Sequence, residues 1–150
     1  MILDTNLLLT NAVSFAAVAG TATTTNVIDL GLAARNPFNG EDIFAVVSIT
    51  TAFLSAGAST TEFRFVTDAQ DPMATDGTAT FHGSTGAIPK ALLVVGARFV
   101  VSLNKLGPVS ERFLGLNVVT AVATTTAGAA TIDIMTTVPD TWRPYTDAVN

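Results

Sequence analysis

The feature that most constrains this chain is the spacing of its apolar residues. From Val27 onward they recur mostly at every second position, the repeat of a β-strand and not of a helix. In Thr61-Glu62-Phe63-Arg64-Phe65 the two phenylalanines share one face and the two charges the other. Phe99, Val101 and Leu103 align in the same way, as do Leu114, Leu116, Val118 and Val122 in the run from Phe113 to Thr124. Ile132 and Ile134 close the pattern, and Ile43 to Thr50 is almost continuously apolar, as expected of a strand covered on both faces. Turn signals separate these runs: Asn36 to Gly40, Ser55 to Ser59 around Gly57, Asp76-Gly77, Gly83 to Gly86, Gly107-Pro108 and Ala127-Gly128. About eight short strands with no sustained helical period predict an all-β, jelly-roll-like antiparallel β-sandwich.

The organisation predicted is a sandwich over residues 26–138, an extended N-terminal arm over 1–25 and a C-terminal tail over 139–150. The start, Met1-Ile2-Leu3-Asp4, lacks the basic residues of a secretory signal, and no apolar run reaches the length of a membrane-spanning helix.

Composition narrows the function. Only 13% of the 150 residues are charged against 49% apolar, while 24 Thr and 23 Ala fill much of the chain. A surface this poor in ions predicts that part of the exterior is covered by other protein, and hence self-association. The net charge of −5, with basic residues scattered singly, argues against nucleic-acid binding. The absence of Cys removes disulfides, thiolate metal sites and thiol nucleophiles.

Little remains for catalysis. His82 is the sole histidine, no Gly-x-Ser-x-Gly elbow surrounds any serine, and Gly83-Ser84-Thr85-Gly86 lacks the lysine of a phosphate loop. Asp68, Asp71 and Asp76 miss calcium-loop spacing and read as turn residues, and the adjacent Glu41 and Asp42 read as loop charges. The expectation is therefore no enzyme, no metal and no cofactor. Phe63, Phe65, Phe81, Phe99 and Phe113 read as core. Leu7, Leu8, Leu9 and Phe15 in the arm, Phe38 in a loop, and Trp142, Arg143 and Tyr145 in the tail read as candidate partner contacts, because Trp, Tyr and Arg dominate interface hot spots.

Two stretches carry a family resemblance. Thr25-Asn26-Val27-Ile28-Asp29-Leu30-Gly31, after an arm with Leu3-Asp4, resembles the start of the Bordetella-phage-type capsid cement proteins. So does the later series Ile88-Pro89, Leu92, Gly96, Phe99, then Glu111 to Val118, and Thr126-Ala127-Gly128 through Ile132-Asp133-Ile134. The resemblance implies a jelly-roll-like domain on the outer surface of a phage head that clamps neighbouring major capsid proteins. It implies a small homo-oligomer, a dimer before a trimer, assembled in the host cytoplasm and carried on the virion. Two rivals are another phage structural β-protein, of tail or head completion, and a carbohydrate-binding β-sandwich module. The latter requires exposed aromatics lining a groove.

Overall fold

The nearly unbroken apolar run that begins at Ile43 forms the longest strand, and the rest of the chain is arranged around it. A computed structural model describes residues 7–16, 19–31, 42–103 and 111–136. Ten strands occur among them: β1 (Leu8–Ser14), β2 (Gly20–Thr23), β3 (Ile28–Asp29), β4 (Ile43–Leu54), β5 (Thr60–Asp68), β6 (Thr80–Ser84), β7 (Ile88–Pro89), β8 (Arg98–Leu103), β9 (Phe113–Ala121) and β10 (Ala127–Met135). A 3-10 turn, Lys90–Leu92, follows β7.

All strand pairs are antiparallel and build two sheets, one in the order β1-β10-β4-β8 and the other β2-β9-β5-β6. The short β3 continues β2 along β9, and β7 continues β6 along β5. Each sheet therefore has four columns. Numbered along the chain, the columns run 1-8-3-6 in the first sheet and 2-7-4-5 in the second. That nesting of first with last, second with seventh, third with sixth and fourth with fifth is a long hairpin wrapped on itself, the jelly-roll topology. The expected all-β sandwich is the fold observed.

The alternation read from the sequence sets the core. Phe63, Phe65, Leu114, Leu116 and Val118 from one sheet meet Ile43, Ala45, Val47, Val101, Leu103, Ala130, Ile132 and Ile134 from the other. Phe63 and Phe65 have no exposed surface, and truncating either to Ala removes on the order of 3–5 kcal/mol.

Four expectations are corrected. Residues 8–14 and 20–23 are not an arm: β1 pairs with β10 and β2 with β9, so this segment supplies one outer column to each sheet. Leu9 and Phe15 are 1% and 3% exposed, filling the core. The alternation was hidden because β1 is irregular: its register shifts twice, and Ala12 takes a φ of 48° with its N–H donated to Thr131 Oγ1 at 3.0 Å. Such bulges blunt an edge strand against unwanted pairing. Phe81 is 57% exposed and not core. Val122 does not share the inward face of β9, since the strand ends at Ala121 and Val122 stands in the following loop. Ala127-Gly128, expected as a turn, opens β10.

Candidate functional site: an apolar face at one end of the sandwich

Because consecutive columns mostly cross between sheets, the connections gather at the two ends of the sandwich. At one end three segments, 53–59, 89–97 and 122–128, are bonded together. Thr126 N–H donates to Leu54 O at 2.8 Å, Ser55 Oγ to Thr124 O at 2.7 Å and Phe53 N–H to Leu93 O at 3.0 Å. Lys90 N–H reaches Ser59 O at 3.1 Å, and the Lys90 ammonium donates to Ser55 O. Phe15 joins them through Gly128 O at 2.8 Å.

This end presents apolar side chains to solvent: Leu54, Leu92 and Val94 are each more than half exposed, Val95 is 65% exposed and Val122 77%. Lys90 is the only ionisable residue in those three segments. Val122 carries a φ of 72°, a left-handed conformation that a β-branched side chain adopts at a cost of about 1–2 kcal/mol. A strained backbone that holds up an exposed valine is a feature found at binding sites. Between Leu54, Val94 and the 3-10 turn lies an open groove of about 370 Å³, floored by Phe53 and Leu93 and edged by Ser55, Lys90 and Thr126.

Among the described residues the opposite end is polar and turns back on itself. Arg112 donates Nε and Nη2 to the two carboxylate oxygens of Asp29 at 2.9 and 2.7 Å, and its guanidinium lies 4.8 Å from the centre of the Phe113 ring. Hydrogen bonds from Arg112 and from Gly31 N–H hold the Asp29 carboxyl down to about 2. Asp68 accepts from Ala74 N–H at 2.6 Å and Gln70 N–H at 3.2 Å, and Asp76 accepts from the amide and hydroxyl of Thr78, which lowers its pKa. Asp76 is a turn residue, as its spacing predicts, whereas Asp29 and Asp68 are the last residues of β3 and β5 and cap the segments that follow. Among the described residues no three His, Cys, Asp or Glu converge as metal ligands would. His82 lies on the outer strand β6, where its Nε2 meets Thr67 Oγ1 at 2.8 Å; burial lowers its pKa, with Glu111 opposing. Thr67 is wholly buried, so the pair offers no accessible nucleophile.

Of the residues singled out by sequence, Leu9 and Phe15 are core and cannot meet a partner. Leu7 and Leu8 are half-buried, with Leu7 packed on that core. Phe38, Trp142, Arg143 and Tyr145 lie outside the described residues. At the apolar end, sequence reasoning passed over Leu54, Leu92, Val94 and Val95 and placed Val122 in the core. One signal was available: Leu92-Leu93-Val94-Val95 is an unalternating apolar run, closed by Gly96, that fits neither a half-buried strand nor a polar loop.

No curated protein matches the sequence significantly. The Bbp16 family model matches residues 13–134, most of the chain, which therefore belongs to the Bbp16 family, a family of Bordetella phage proteins.

Proposed function

We propose that this Bbp16-family chain is a capsid cement protein, which seats its apolar loop end on the outer surface of a phage head and clamps neighbouring major capsid proteins. It acts as a homo-oligomer, a dimer first, assembled in the host cytoplasm and retained on the virion. It has no catalytic role and needs no metal, cofactor, nucleic acid or membrane. The observation that carries the reading is the apolar end itself. Five exposed aliphatic side chains and one ionisable residue form a surface suited to permanent cover by protein. Burying those side chains supplies several kcal/mol per copy at roughly 25 cal/mol per Å², before ordering costs are subtracted. A jelly roll gives the stiff body such a clamp requires, because its loops are fixed by two sheets.

The test is to add purified protein to heads assembled without it and count bound copies. Hundreds per head are expected of cement; a dozen or fewer would assign the chain to a connector or tail. Val122→Asp should raise the melting temperature slightly, since Asp tolerates the left-handed conformation better than Val. It should also weaken head binding at least about tenfold, by burying a charge. Those opposite signs cannot arise from misfolding. Undiminished decoration by this variant would remove the loop end as the docking face.

A further inference from the structure

The groove at the apolar end has a chemistry of its own. Its volume of about 370 Å³ falls at the lower edge of the range for ligand pockets, room enough for one or two large side chains. Floor and walls are Phe53, Leu54, Leu93 and Val94, so the body of any occupant is apolar. Only Lys90 brings a charge to the rim, and it is the only ionisable residue in the three segments of this end of a chain that is net negative. An ammonium has three N–H donors. One goes to Ser55 O, and Lys90 forms no ion pair among the described residues. That hydrogen bond holds the ammonium at the groove mouth, with its other N–H groups open to solvent or to an occupant.

We propose that this groove binds an apolar side chain accompanied by a carboxylate, presented by a partner protein: an aliphatic or aromatic residue next to an acidic one, or at a chain terminus. The apolar part fills the space over Phe53 and Leu93, and the carboxylate pairs with Lys90 Nζ. A neutral hydrophobic segment would leave the ammonium buried under the partner without a counter-charge, which is costly. A basic segment would be repelled. The inference deepens the docking reading above and rests on it only for the identity of the partner.

The experiment uses the full chain, amide NMR and two small probes, N-acetyl-leucine and N-acetyl-leucinamide, which differ by a carboxylate against a carboxamide. Binding is expected in the millimolar range, as for any probe this small. The acid should shift the signals of Leu54, Lys90 and Val94 saturably, and bind at least about threefold tighter than the amide, the size expected of a partly exposed ion pair. High salt should shrink that preference. Lys90→Met keeps an apolar stem in place and should bind both probes alike. Equal binding of acid and amide by the unaltered chain, or no shift of the groove signals by either, overturns the proposal. Acid preference in a chain that does not decorate heads would leave the groove's chemistry standing and refute only the capsid as partner.

Discussion

The two ends of this sandwich are built on the same strands yet treat their surface in opposite ways. At the polar end, carboxylates turn back onto the chain: Asp29 takes Arg112 and Gly31, Asp68 takes Ala74 and Gln70, and Asp76 takes Thr78. Each of these three described turns satisfies itself. The segments of the apolar end are just as well bonded through their backbones but leave Leu54, Leu92, Val94, Val95 and Val122 facing water, one of them on a strained backbone. A folding requirement explains the first arrangement. It does not explain the second, since side chains more than half exposed contribute little to folding. The difference supports the proposed docking role for loops carried by a rigid scaffold.

The bluntest way to break the comparison is to remove what both ends depend on. Deleting residues 1–25 takes away β1, the outer column of one sheet, and β2, most of the outer column of the other, together with core residues Leu9 and Phe15. Loss of a buried Leu or Phe costs about 2–5 kcal/mol each, against a total stability of about 5–15 kcal/mol for a typical domain. The truncated chain should therefore show no cooperative thermal melt by circular dichroism. A cooperative melt would restore the view of this segment as a detachable arm.

That segment also marks the limit of what the sequence made legible. Strands β4, β5, β8, β9 and β10 were readable because they alternate cleanly or run apolar where both faces are covered. The eight-column count followed from their spacing. β1 was not readable, because its two register shifts and the left-handed Ala12 put Leu9, Thr10 and Phe15 out of step with any single period. Phe81 escaped because a register shift separates the Gly83–Phe65 pair from the Phe81–Val66 pair, and Phe81 stands opposite Val66 and not opposite the core residue Phe65. The apolar face escaped for a different reason. Exposure of Val94 and Val122 depends on loops distant in sequence meeting at one end, and no local pattern records that.

A subtler test compares glycines at the two ends. Gly128 has a φ of 147°, and a Cβ placed there would stand 2.6–2.9 Å from ring atoms of Phe53, which is 2% exposed and cannot retreat. Gly77, in the loop between β5 and β6, has a φ of 94° but open space around it. Gly128→Ala should cost about 2–4 kcal/mol, combining backbone strain with overpacking, while Gly77→Ala should cost only the backbone share of about 1–2 kcal/mol. Denaturant midpoints with unchanged slopes would measure both. Equal losses would mean that the groove floor is loosely packed and the apolar end is no preformed site.

The smallest effect is expected at the polar end under acid. The Asp29 carboxyl, held at about 2 by Arg112 and Gly31, lies below its ordinary value of 3.8. A depressed carboxyl favours folding above the ordinary value and loses that contribution as pH falls from about 4 toward 2. Asp29 and Arg112 are well exposed, so the stability at stake is small and screened by salt. The direct measurement is the carboxyl titration of Asp29 by NMR. Arg112→Gln should move the midpoint up toward 3.8, and high salt should move the unaltered chain part of the way. Over the same pH range the amide signals of Leu54, Val94 and Val122 should stay fixed, because their segments hold no carboxylate. An Asp29 midpoint near 3.8 in the unaltered chain would show that the ion pair does not hold the turn. Movement of the Leu54 or Val122 signals in step with Asp29 would show that the two ends are coupled and not independent.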